Sequence, residues 1–163
     1  MAQQANIPRS IFAIMTTMNI LSFDVESNGL HGEAFAVAGV VINDAGHTSS
    51  QIVLRCPIIG LVDPWVNDNV LEPMANIAQT HPEASSMRTA FWAWFIPAQA
   101  NSQLVVCANP YPVEARFLIQ CQEDDLPNRQ LNHPFPLYDL SSMLLTLGYP
   151  TRPQRRAFID THV

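Results

Sequence analysis

The chain has 163 residues, of which 48% are apolar and 13% charged, and its formal net charge is −6. That balance describes one globular domain with a sizeable core and excludes a disordered segment. All eight basic residues are arginine, which excludes a broad basic face for nucleic acid: a phosphate partner must be held by a few arginines or by metal.

Residues 1–18 read as a loose N-terminal leader, with Met15 and Met18 as alternative starts, and residues 19–163 as a single domain. The apolar stretch SIFAIMTTMNILSF is too short and too interrupted to span a bilayer, and no small-residue cleavage site follows it. Ile20–Glu26 then alternates, with Leu21, Phe23 and Val25 on one side and Ser22, Asp24 and Glu26 on the other, which predicts a strand. AFAVAGVVI (34–42) predicts a buried strand, NDAG (43–46) a turn, and TSSQIVLRC (48–56) a third strand, together an antiparallel meander.

Residues 57–82 read as loop with a short helix. The spacing of apolar residues over 83–100 predicts a helix that stops at Pro97. QLVVCA (103–108) predicts a strand, and NPYPVEARFLIQCQ (109–122) a helix opened by prolines. QEDDLPNRQ (122–130) reads as a solvated helix end and loop. FPLYDL (135–140) predicts a last short strand, SSMLLTLG (141–148) a helix ended by Gly148, and residues 152–163 an incomplete final helix. A meander followed by αβ units implies an α/β fold, a mixed sheet with helices on its faces. Cys56, Cys107 and Cys121 are an odd number without metal-like spacing, which reads as buried thiols in a reduced, cytoplasmic protein.

Asp24 and Glu26 project from one face of their strand, about 7 Å apart. Two carboxylates so placed repel one another, and a cation or a shared proton relieves them. Oxygen-only donors suit Mg²⁺ or Mn²⁺; the alternative is an edge strand whose acids face water. Glu114 shares a helical face with Phe117, Leu118 and Cys121, which directs its carboxylate toward the sheet as a third candidate ligand. The alternative there is an acid that complements the helix dipole. Asp139 is placed to cap the helix that follows it. FWAWF (91–95) has aromatics on more than one helical face, so part of it belongs to the core.

FDVESNGL, GEAFAVAGVVINDAG and LVVCANPYPVEARFL together resemble the ribonuclease H-like 3′–5′ exonucleases of the DEDD superfamily, over roughly residues 19–162. The resemblance implies a ribonuclease H-like mixed sheet, the meander followed by αβ units, with flanking helices and an incomplete last helix. It matches Asp24 and Glu26 to the first motif and Glu114 to the second, where Asp is usual. The third motif, His-x4-Asp, is met only by His162 in the role of the histidine. Its acid would fall beyond Val163, so by the resemblance either the chain is cut short inside that motif or His162 is incidental.

The implied activity is metal-dependent hydrolysis of phosphodiester bonds from the 3′ end of single-stranded DNA or RNA. Two Mg²⁺ or Mn²⁺ ions about 3.5–4 Å apart would be held by Asp24, Glu26 and Glu114, with His162 accepting a proton from water. Asn28 and Gly29 after the first motif, Asn109 before the second and Arg155 before the third would meet the substrate. Gly29 would leave room for a sugar-phosphate. For Asn109 the alternative is a turn, and for the Arg152, Arg155, Arg156 cluster a solvated helix start. A catalytically weak or inactive nucleic-acid-binding module on the same fold is the alternative function. No membrane is implied, and homodimerisation stays open.

Overall fold

The computed structural model describes residues 18–130, 132 and 136–149. Alternation of apolar and polar residues produces β1 (Asn19–Ser27), in which Leu21, Phe23 and Val25 are buried while Asp24 is exposed. β2 (Ala34–Asn43) pairs antiparallel with β1, and β3 (Thr48–Arg55) antiparallel with β2. The turn between β2 and β3 places Gly46 at φ 77°, as NDAG predicts. β4 (Leu104–Cys107) lies parallel to β1 on its other side, and β5 (Tyr138–Asp139) parallel to β4. The sheet order is therefore β3-β2-β1-β4-β5. Because β2 alone runs against the others, the carboxyl ends of β1, β3, β4 and β5 meet at one edge of the sheet.

Among the described residues, helical segments lie between these strands and one follows the last of them. α1 (Pro64–Val66) continues into a π-helical turn at Asn67–Leu71. α2 (Ala84–Ala100) and α3 (Val113–Glu123) pack on the face of Phe23, and α4 (Leu126–Arg129) follows α3. α5 (Leu140–Thr146) begins directly after β5 and ends ahead of Gly148, whose φ is 81°. The core is aromatic. Phe91 of α2 lies 5.5 Å from Phe23 and 5.1 Å from Phe117 of α3, and Phe95 lies 5.7 Å from Phe23, ring centre to ring centre. Trp94 lies over β2 at Gly39, where a Cβ would meet its ring at 2.5 Å, and its Nε1 donates to Ser50 Oγ at 2.8 Å.

Two expectations need correction. α2 does not stop at Pro97 but runs on to Ala100. Proline removes one bond to the carbonyl of Ala93, and Ala93 is exposed, where water can serve that carbonyl. Residues 122–130 are mostly exposed, as expected of a helix end and loop, but Asp124 pairs with the buried Arg88, and Arg129 is itself buried, 5.8 Å from the Trp92 ring. The last strand is confined to Tyr138–Asp139. The three cysteines are free and buried. Among the described residues, no helix is long and apolar enough to cross a membrane. Residues 1–17 of the leader and the expected helix over 152–163, with His162, Arg152, Arg155 and Arg156, lie outside the described residues.

Candidate active site

β1 and β4 pair only as far as Ser22 opposite Val106, so the last turn of β1 leaves its β4-side edge unpaired. α3 starts from the end of β4 and drives its first turn into this fork. Phe117, Leu118 and Cys121 are buried, and they carry Glu114, 7% exposed, inward with them. The i, i+3, i+4, i+7 face that pointed Glu114 toward the sheet is the face the fold buries, and a purely solvated role at the helix start does not describe it.

Glu114 accepts from its own N–H and from that of Val25, and its carboxyl reaches that of Asp24 within hydrogen-bonding distance. Asp24 remains exposed, yet the protein packed around its carboxylate displaces enough water to raise its pKa, and the contact with Glu114 offsets part of the rise. Burial also raises Glu26, with the charge of Asp24 adding to it. For Glu114 burial again leads, and the charges of Asp24 and Glu26 push the same way against the two N–H donors. Cys107, at the end of β4, is raised by burial and then by Glu114 and Asp24, so its thiol stays protonated beside the acids.

Three oxygen donors of one sign therefore gather at the carboxyl edge, and none of them has a salt bridge among the described residues. Such a donor set suits a hard divalent ion. As the side chains lie, no three His, Cys, Asp or Glu of the described residues close on a common point in the manner of a metal cage. Glu114 is instead turned onto the N–H of Val25. Beside the acids the sheet carries only small residues, because Asp24 faces Ala38 and Glu26 faces Ala36 across β2. A cavity of about 160 Å³ opens there, walled by Met74 and Ile77, whose carbonyls are both held by Arg55 Nη1.

The residues just past β1 are used by the fold. Asn28 donates through Nδ2 to the Leu61 carbonyl at 2.8 Å and accepts through Oδ1 from the Asp63 N–H at 2.7 Å. Gly29 has φ 77°, and the space its absent side chain leaves is faced by the Asp63 carboxylate, 3.3 Å from where a Cβ would stand. Asn109 is exposed in the loop between β4 and α3. Asp139 caps α5, accepting from the N–H groups of Ser141 and Ser142 at 2.9 and 3.2 Å.

Sequence reasoning missed Asp63, which caps α1 by accepting from Trp65 and Val66 N–H. The signal was present: an Asp directly before a Pro at the first helical position. All four described arginines are tied to protein oxygens. Arg55 holds Met74 and Ile77, Arg88 holds Asp124 and Glu33, Arg116 holds the His31 carbonyl, and Arg129 holds that of Cys121.

No protein-family model matches the chain, and no curated protein matches it. Among solved structures, the exonuclease I chain of an ExoI/SSB-Ct complex superposes with a TM-score of 0.56 at 15% identity. The match covers 79% of this chain, which spans only 30% of that neighbour's length. Identity this low speaks for the fold alone: the chain is a mixed α/β protein whose five-stranded sheet and flanking helices form a ribonuclease H-like fold.

Proposed function

We propose that the chain is a metal-dependent nuclease that removes nucleotides from the 3′ end of single-stranded DNA or RNA. One observation carries this reading: Asp24, Glu26 and Glu114 lie near one another at the carboxyl edge, though not closed on a common point, with raised pKa values and no salt bridge among the described residues. Ligands of open α/β sheets bind at that edge. Keeping three crowded carboxylates is costly for a fold unless something positive is bound there.

Asp24 is the common neighbour of the other two and the residue on which the site depends. Glu26 presents its oxygens from the same face of β1. Glu114 completes the set from the first turn of α3. Mg²⁺ or Mn²⁺ bound by these oxygens would offset phosphate charge and lower the pKa of a water. The cavity over Ala36 and Ala38 gives the substrate room directly against Asp24 and Glu26. Asn109, at the mouth of the same edge, is free to meet a sugar-phosphate, and His162 and Arg155 complete the proposal as proton acceptor and phosphate contact.

The test uses single strands labelled at either end, with Mn²⁺, with and without chelator. The expected result is stepwise, chelator-sensitive shortening from the 3′ end, abolished by Asp24→Ala. Binding without shortening would establish a non-cutting module instead. Shortening that persists in the Asp24→Ala chain would place the chemistry elsewhere.

A further inference from the structure

Beyond Ser22 the β4-side edge of β1 has no strand beside it, and the Val25 N–H on that edge is taken by the Glu114 carboxylate. Where that carboxylate stands depends on how the first turn of α3 sits against the end of β1. Arg116, two residues further along α3, reaches across to the turn after β1 and donates through Nη1 to the His31 carbonyl. The helix that carries Glu114 is thereby tied to the strand that carries Asp24 and Glu26.

The turn is stiff enough to pass that constraint on. The Asn28 N–H donates to the Glu33 carbonyl at 3.0 Å, and the Gly32 N–H to that of Gly29 at 3.2 Å. Gly32 packs so closely that a Cβ there would collide with the Asn28 carbonyl. Residues 28–33 therefore move as one piece with the end of β1. The far end of α3 is tied to the same turn independently, because Asp124, its C-cap, shares Arg88 with Glu33. Losing the Arg116 bond would free the first turn of α3 alone, with Phe117, Leu118 and Cys121 still seated in the core.

We infer that Arg116 is a positioning residue: its bond to the His31 carbonyl sets how far the Glu114 carboxylate stands from Asp24 and Glu26, and so how well the three share one divalent ion. The ion rests on the nuclease reading above; the hold on Glu114 rests on the hydrogen bonds. The charge of Arg116 works in the other direction. A cation near carboxylates repels an incoming ion, so deleting it would by field alone tighten ion binding. Positioning predicts that the same deletion weakens it.

The full chain, isotopically labelled for amide resonances, is followed in metal-free buffer and through a Mg²⁺ titration. In the native chain the Val25 amide should be protected from hydrogen exchange, and it should shift as Mg²⁺ is added. Arg116→Ala should speed exchange at Val25 about tenfold. Exchange at Leu21, which is paired on both sides in β1, should stay unchanged. The Mg²⁺ half-saturation point should rise about tenfold, the size of effect that outer partners of a metal site have. Arg116→Lys, which keeps a donor for the carbonyl, should recover most of both. A merely structural arginine would instead lower the melting temperature and speed exchange along β1 as a whole.

Unchanged exchange at Val25 in Arg116→Ala overturns the inference, and so does Mg²⁺ binding that is equal to the native chain's or tighter. The two readings separate. A native chain that responds to Mg²⁺ and a variant that responds identically keep the ion of the nuclease reading and remove the positioning role. A native chain indifferent to both Mg²⁺ and Mn²⁺ removes the ion and the nuclease reading with it; exchange at Val25 then decides alone whether Arg116 holds Glu114.

Discussion

Two charged clusters sit in this fold, and they are built on opposite rules. In one, Arg88 of α2 lies 8% exposed and grips Asp124 with two bonds of 2.6 and 2.9 Å, with a third contact to Glu33. The Asp124 contact is the main reason the guanidinium pKa rises, so the cluster holds its charges more firmly than water would. In the other, Asp24, Glu26 and Glu114 share a sign, and burial raises all three. The first cluster is complete in itself and ties the β1–β2 turn to α2 and α3. The second is incomplete in itself. That difference separates charges that hold a fold together from like charges that the fold crowds without a partner of opposite sign among the described residues.

The largest expected effect is on the incomplete cluster. Asp24→Ala should lower the rate of 3′ shortening by at least about 100-fold, the loss that even an outer partner of a metal ligand causes. Thermal unfolding with and without Mn²⁺ supplies the companion readout. The native chain should gain melting temperature with the ion, and the variant should not. A variant that keeps both the activity and the ion-dependent gain would remove the contrast between the clusters.

Next in size is the complete cluster. Arg88→Ala leaves Asp124 and Glu33 without their cation and should destabilise the fold by about 2–4 kcal/mol, measured by urea unfolding. The lower half of that range is expected, since the Glu33 side chain is 55% exposed and water screens it. Replacing a carboxylate at the other cluster should do the reverse. In metal-free buffer at pH 7, Glu114→Gln should raise the melting temperature by ~2 °C, because it removes a buried like charge while keeping the shape. Two variants that each delete one charge should thus shift stability in opposite directions.

Much of this was legible in the sequence where the signal is local. A period of two placed Asp24 and Glu26 on one face, and the spacing of Glu114 from Phe117, Leu118 and Cys121 carried it inward. The capping role of Asp139 is likewise read from its own neighbours. What escaped was long-range. Arg88 and Asp124 are 36 residues apart, so nothing local in QEDDLPNRQ marks Asp124 as the partner of a buried arginine. The Asn28 link to Asp63 spans 35 residues, so nothing near Asn28 showed that its side chain would be held by the loop after β3. Pro97 misled for a different reason: a proline one turn from a helix end deletes a single bond, and exposure of Ala93 made that bond dispensable. His162 and Arg155 lie outside the described residues, so their roles rest on the resemblance alone.

The smallest effect is also the cleanest test of sign, because it sets carboxylates of opposite environment against each other in one chain. Asp139 accepts from the Ser142 hydroxyl at 2.5 Å and from two N–H groups, and the Ser142 hydroxyl leads in holding its pKa below the usual range. A lowered pKa gives stability that is present above the unfolded-state value and lost as pH falls through the folded one. Asp139→Ala should therefore cost about 0.5–1 kcal/mol at neutral pH, and that cost should fade in acid below the ordinary Asp pKa. Asp24, Glu26 and Glu114 follow the opposite rule: their stabilising share is present below the unfolded pKa and disappears as pH rises through the folded one. The metal-free melting curve of Glu114→Gln should then part from that of the native chain as pH rises above the usual carboxylate range, while Asp139→Ala rejoins the native curve at the acid end. Both differences are read from one series of melting temperatures across pH. Parallel slopes for the two variants would mean that the three acids at the carboxyl edge are no more crowded than an ordinary helix cap.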